Sequence, residues 1–138
     1  MRIIIDSNVL FSALIKDSTS RKFIVEYGSL FLFPEFIFEE MEKHKSELFN
    51  KSGMNEADFS RLLQLLLKKV IVVPNTALLH HRKAALEIVK DIDPGDAIFV
   101  ACALAYPGSI IWSEDKRLKM QTKIKVMNTL ELKSFLQN

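Results

Sequence analysis

Five short apolar runs punctuate the chain: RIII at residues 2–5, LFLF at 30–33, VIVV at 70–73, SIIW at 109–112 and IKVM at 124–127. Most are continuously hydrophobic rather than alternating, the pattern of strands covered on both faces of a sheet. Longer segments of helical period lie between and after them. PEFIFEEMEKHKSELF puts Pro34 at a first helical position, and NEADFSRLLQLLLKKV opens on Asn55 as an N-cap. TALLHHRKAALEIVKD, GDAIFVACALAY and NTLELKSFLQN complete the helical set. Strands alternating with helices predict an α/β fold, a three-layer α/β/α sandwich around a parallel sheet of about five strands. In such sheets ligands gather at the carboxyl ends of the strands.

With 138 residues, 49% of them hydrophobic, the chain is long enough for one sizeable core, so residues 1–138 are read as a single domain. It contains no internal repeat and no low-complexity tract. A balance of 19 Lys+Arg against 17 Asp+Glu, +2 overall, is too small to mark a nucleic-acid binder, so any basic footprint has to come from local clustering. The one cysteine, Cys102, excludes an internal disulfide framework and a cysteine-based zinc site; within AIFVACALAY it reads as a buried apolar thiol in a reducing compartment. No apolar stretch approaches the roughly 18–20 residues that span a bilayer, and a single Arg2 before the first apolar run is not an export signal. A soluble cytoplasmic protein with no membrane partner is expected.

Against that frame of strand ends, Asp6 stands out. It follows the first apolar run directly, where a helix should begin. The run SIIW likewise ends in Ser113, Glu114 and Asp115, placing a second carboxylate at the same edge. In the helix after Pro34, Glu39 shares a face with Glu35, Glu42 and Lys43, whereas Glu40 follows Ile37 and Phe36 by three and four residues and looks inward. Asp96 opens the apolar segment Ala97–Tyr106, either as a helix N-cap or as a further member of an acidic site. Asp93, before Pro94 and Gly95, is a turn residue with a supporting role as the sharper alternative.

Each acid alone has a plain structural explanation, but an α/β/α sandwich would bring Asp6, Glu40, Asp96 and Asp115 to one edge of its sheet. Carboxylates at close quarters cannot all stay ionised without a counter-charge. Oxygen-only ligation selects a hard divalent cation, Mg²⁺ or Mn²⁺. Such a site acts on phosphate esters.

IIIDSNVLFSALI, PEFIFEEMEKHKSEL, DIDPGDAIFVACALA and IIWSEDKRL, in this order and spacing, resemble the four signature blocks of a PIN domain over essentially the whole chain. The resemblance implies an α/β/α metal-dependent endoribonuclease, with metal-binding and catalytic roles for Asp6, Glu40, Asp96 and Asp115. It also implies orienting roles for Asn8 and Ser113, with Ser7 as a helper. By motif position Asp115 rather than Glu114 faces the metal; Trp112 and Glu114 depart from the commoner pattern. Many bacterial and archaeal members are toxins of toxin–antitoxin pairs, so an antitoxin partner belongs to the same expectation; a homodimer is expected separately. RNA, single-stranded or structured, is the implied substrate, cut to 5′-phosphate and 3′-hydroxyl ends.

Lys116, Arg117, Lys119, Lys123 and Lys125 follow the last acid with no carboxylate among them. A charge run is most often a solvated face, yet its place beside the acids points to RNA phosphates. Lys16, Arg21 and Lys22, in the polar loop KDSTSRK, would contribute from the other rim. His80 and His81 read as surface or interface residues, and Phe31, Phe33, Phe36 and Phe38 as core or dimer surface. A receiver domain would need an acidic pair after the first strand, and a haloacid-dehalogenase-type phosphatase an aspartate at position 8, where Asn8 stands. A non-catalytic module that binds nucleic acid or protein is the remaining alternative.

Overall fold

The computed structural model describes residues 1–16 and 18–137. Asp17, inside the segment read as a polar loop, and Asn138, the end of the last predicted helix, lie outside the described residues. Strands β1 (Ile3–Ile5), β2 (Phe31–Pro34), β3 (Ile71–Val73), β4 (Ile110–Trp112) and β5 (Lys125–Met127) form one sheet in the order β3-β2-β1-β4-β5. Every pairing is parallel. The helices are α1 (Ser7–Ile15), α2 (Thr19–Tyr27), α3 (Ile37–Ser52), α4 (Glu56–Lys69), α5 (Arg82–Val89), α6 (Ala97–Ala105) and α7 (Thr129–Gln137).

The apolar runs are continuous because both faces of the sheet are covered. Ile3, Ile5, Phe31, Phe33, Ile110 and Trp112 pack on one side with side chains of α1–α4 and Leu132 of α7. Ile4, Leu32, Val73 and Ile111 pack on the other with α5, α6 and Leu78. Topology explains this division. From β1 through β2 to β3 the chain moves outward, then passes back beyond β1 to reach β4. A reversed direction with the same right-handed crossover moves the connecting helices to the opposite face. The three-layer sandwich follows.

Asn55 caps α4 as expected, its Oδ1 accepting from the Asp58 amide (2.9 Å). Three local expectations give way to tertiary context. Pro34 is the last residue of β2, in register with Val73, and α3 begins only at Ile37. The β1–β2 pairing runs only to Leu32, so the missing N–H of Pro34 removes no ladder bond on that side. Residues 76–91 are not one α-helix: Asn75–His81 is wound as a 3-10 turn whose one buried side chain is Leu78, and α5 follows. Arg21 and Lys22 are not in a loop but in the first turn of α2, which Ser18 caps by accepting from the Arg21 amide (3.3 Å).

Cys102 is fully buried, and burial pushes its thiol up to about 12, so it is inert packing. No helix among the described residues is long and apolar enough to cross a membrane.

Candidate active site

The strand order reverses between β1 and β4, and Asp6 sits at that reversal. Its amide donates to Trp112 O (3.2 Å), continuing the pairing of β1 with β4 one step past the strand. Oδ1 accepts from the Asn8 and Val9 amides (2.7 and 3.3 Å) and so caps α1. Oδ2 accepts from the Ser113 hydroxyl (2.5 Å), the first side chain beyond β4. One carboxylate therefore joins two strand ends and a helix start, at the switch point where the chain leaving β1 enters α1 on one face of the sheet and the chain leaving β4 packs Leu118 on the other, which opens a crevice. Burial holds the Asp6 carboxyl above its ordinary range, and Asp115 adds to this; the bonds from Ser113, Asn8 and Val9 act the other way.

The Ser113 hydroxyl also accepts from the Asp115 amide (3.0 Å), which places Asp115 directly over the same strand end. Its Oδ1 accepts from the Arg117 amide (2.9 Å). Across the crevice stands the turn Asp93–Pro94–Gly95–Asp96. Asp93 Oδ1 accepts from the Gly95 amide (2.9 Å), a local turn bond that sets up the 3-10 turn leading into α6. Asp96 opens α6 but makes no capping hydrogen bond with its side chain. Instead, Asp93, Asp96 and Asp115 each offer an oxygen within 4.8 Å of the others.

Asp96 Oδ2 is buried and has no hydrogen-bond partner among the described residues. Its carboxyl is pushed up to about 6, first by burial, then by Asp93, Asp115 and Asp6; the Arg117 guanidinium pulls partly the other way. Buried polar atoms rarely go unpaired, and an orphaned carboxylate oxygen on a residue grouped with other carboxylates is what an all-oxygen cation site requires. The donor set fits a hard divalent ion.

The other predicted residues are placed as follows. Glu40 lies in the first turn of α3, half-buried, with Oε2 3.6 Å from His44 Nε2, and is not part of the converging aspartate group. His44 in turn sets its ring edge against Phe11 of α1 (centroids 6.0 Å apart). Asn8 steadies Asp6 through its backbone amide, while its exposed side chain faces a polar groove with Ser12, Lys16, Glu114 and Thr129. Ser7 is the half-buried first residue of α1. Glu114 turns away from the acids, accepting from the Thr129 amide (2.7 Å) at the start of α7. Asp115 thus points where Glu114 does not.

Lys116 is exposed beside the site. Arg117 donates through its guanidinium to Ile92 O, tying the segment after β4 to the residue before Asp93. Lys119 pairs with Glu131 of α7. Lys125 is in register with Ile110, the first residue of β4, so the chain has returned by Lys123–Lys125 to the amino edge of the sheet, away from the acids. Arg21 lays its side chain along the end of α1, with Nε donating to Ala13 O (2.8 Å), while Lys22 is exposed. Two residues take fuller parts than the sequence assigned them: Asp93, expected in a turn or supporting role, belongs to the carboxylate cluster itself, and Arg117, expected on RNA phosphates, supplies positive charge beside Asp96. The spacing Asp-Pro-Gly-Asp held the signal for the first, because a turn that short keeps both carboxylates together.

A parallel five-stranded α/β/α sandwich with an acidic cluster at its topological switch point is the architecture of the chain. The PIN-domain family model matches residues 4–134, and the chain belongs to that family. PIN domains are generally nucleases and typically use divalent metals. Among solved structures, the crystal structure of PAE2754 from Pyrobaculum aerophilum superposes with a TM-score of 0.70, at 15% sequence identity, over 99% of this chain and 90% of that one. At that identity the likeness is one of fold. No match was found among curated proteins.

Proposed function

We propose that this protein is a Mg²⁺- or Mn²⁺-dependent endoribonuclease whose cation is held by Asp96, Asp115, Asp93 and Asp6, with Glu40 at the margin of the site. The observation that carries the reading is Asp96, one carboxylate oxygen of which is buried without a donor, in a residue that converges with Asp93 and Asp115. A hard divalent cation supplies Lewis acidity and a nucleophile at neutral pH. The chain's own residues do the rest. Ser113 and the α1 amides hold Asp6 in one orientation, and the Asx turn of Asp93 sets the spacing to Asp96. The Arg117 guanidinium, beside the cluster, offsets part of its charge and so eases the approach of an RNA phosphate. Lys116, exposed beside the acids, would hold the RNA backbone.

The test is cleavage of RNA by purified protein with Mn²⁺, against EDTA and against Asp96→Asn. Cleavage that needs both the cation and Asp96, leaving 5′-phosphate ends, is expected. Equal activity in the wild type and Asp96→Asn would overturn the proposal. A toxin role with an antitoxin partner extends the same reading. It predicts growth arrest on induced expression that Asp96→Asn abolishes.

A further inference from the structure

A cavity of about 350 Å³ opens beside the aspartate turn. Phe36, Leu79, Leu86 and Ile98 give it apolar walls, and Asn75 and Arg82 bring the polar heads. Its remaining wall includes Pro94 and Gly95, the two residues between Asp93 and Asp96. The turn therefore faces two ways: its outer residues belong to the carboxylate cluster and its inner residues to the cavity.

Resting on the nuclease reading above, we propose that this cavity is a base-recognition subsite, receiving a nucleobase of the RNA strand whose phosphate lies at the acids. A cavity of some 300 Å³ or more, mostly apolar with a few convergent polar groups, is the usual build of a small-ligand site. An unstacked base matches it, having flat apolar faces and a hydrogen-bonding edge. Both polar heads are available. Arg82 is exposed at the first position of α5 and has no ion pair among the described residues. Asn75 is fixed through its backbone amide, which donates to Glu35 Oε1 (3.0 Å), leaving its side-chain amide to present both a donor and an acceptor.

The apolar part is also left uncovered, with Leu79 57% and Leu86 43% exposed. A second copy of the chain could cover such leucines, but protein interfaces deplete charge from their cores, and here an arginine and an acidic turn share the rim. Contiguity with the acids favours the nucleotide. Phosphate would be held by the cation site and base by the cavity, so base identity is read one turn away from the chemistry.

The experiment is methyl NMR on the full chain, ¹³C-labelled at leucine and isoleucine, with Mg²⁺ present. AMP, GMP, CMP, UMP and ribose 5-phosphate are titrated separately. At least one nucleotide should move the Leu79, Leu86 and Ile98 methyls saturably, and ribose 5-phosphate should not. Arg82→Ala should weaken that binding about fivefold or more, the loss of one charge-assisted contact. Unmoved methyls, movement equal with ribose 5-phosphate, or movement only on dilution of the protein, the sign of a second copy on this face, would each overturn the subsite. RNA cleavage measured on the same sample separates the two readings. Cleavage without nucleotide shifts removes the subsite alone, whereas nucleotide shifts without cleavage uphold the subsite and remove the nuclease.

Discussion

Replacing Asp96 by Asn removes one negative charge from a site where, without a cation, negative charges repel. Folding raises the Asp96 carboxyl from its ordinary 3.8 to about 6. A shift of about 2 units corresponds to about 3 kcal/mol if taken in full, at 1.36 kcal/mol per unit. Asp96 is only half-buried, so solvent screening reduces this to about 1–2 kcal/mol. Because the folded state holds the proton more tightly than the unfolded state, the group favours folding below pH 3.8, and that contribution is lost as pH rises to about 6. Above that the penalty is constant. In EDTA at pH 8, Asp96→Asn should therefore melt higher than the wild type, by about 3–8 °C for a chain of this size. The gap should close on acidification toward pH 4. Added Mn²⁺ should reverse the order, raising the Tm of the wild type by mass action and leaving the variant nearly unmoved. Thermal melts by circular dichroism across that pH range decide it. A variant that melts below the wild type in EDTA at pH 8, or a gap independent of pH, would refute the charge-repulsion reasoning.

Ser113→Ala removes the side-chain donor to Asp6 Oδ2 and should lower stability by about 1.5–3 kcal/mol, read as a lower urea midpoint at unchanged slope; Ser113→Thr should recover most of it. An unchanged midpoint in the alanine variant would show that the bond contributes little. Thr129→Val leaves the indole N–H of Trp112 without its 3.0 Å acceptor and should cost about 1–3 kcal/mol. Trp112 is the chain's single tryptophan, so its emission reports directly on the junction of β4 with α7. Gly28→Ala would place a Cβ 2.6 Å from both the Cβ and the carbonyl oxygen of Lys69, where the ends of α2 and α4 meet, and should destabilise by about 1–3 kcal/mol. A fully stable Gly28→Ala protein would mean that the two helix ends separate easily.

Hydrophobic patterning by itself located the five strands. For β1, β2 and β4 the reason is that a strand covered on both faces must be apolar at every position, visible in RIII or SIIW without any partner, whereas the edge strands β3 and β5 leave Ile71 and Lys125 exposed. It also determined that Asp6 and Asp115 stand at strand ends, and that Asn55 starts a helix, since caps and strand exits are local events. Other features depended on the tertiary structure. That β1 lies between β2 and β4 is a matter of long-range pairing, and only this order lets the Ser113 hydroxyl reach Asp6 from 107 residues away. Asp93 as a member of the cluster, Glu114 turned to α7 while its neighbour faces the acids, and Glu40 set against His44 are choices between adjacent directions of a side chain. No periodicity encodes such choices. Pro34 ended a strand rather than beginning a helix for the same reason: its missing N–H suits either place, and the neighbouring strand, absent from any local reading, decided which.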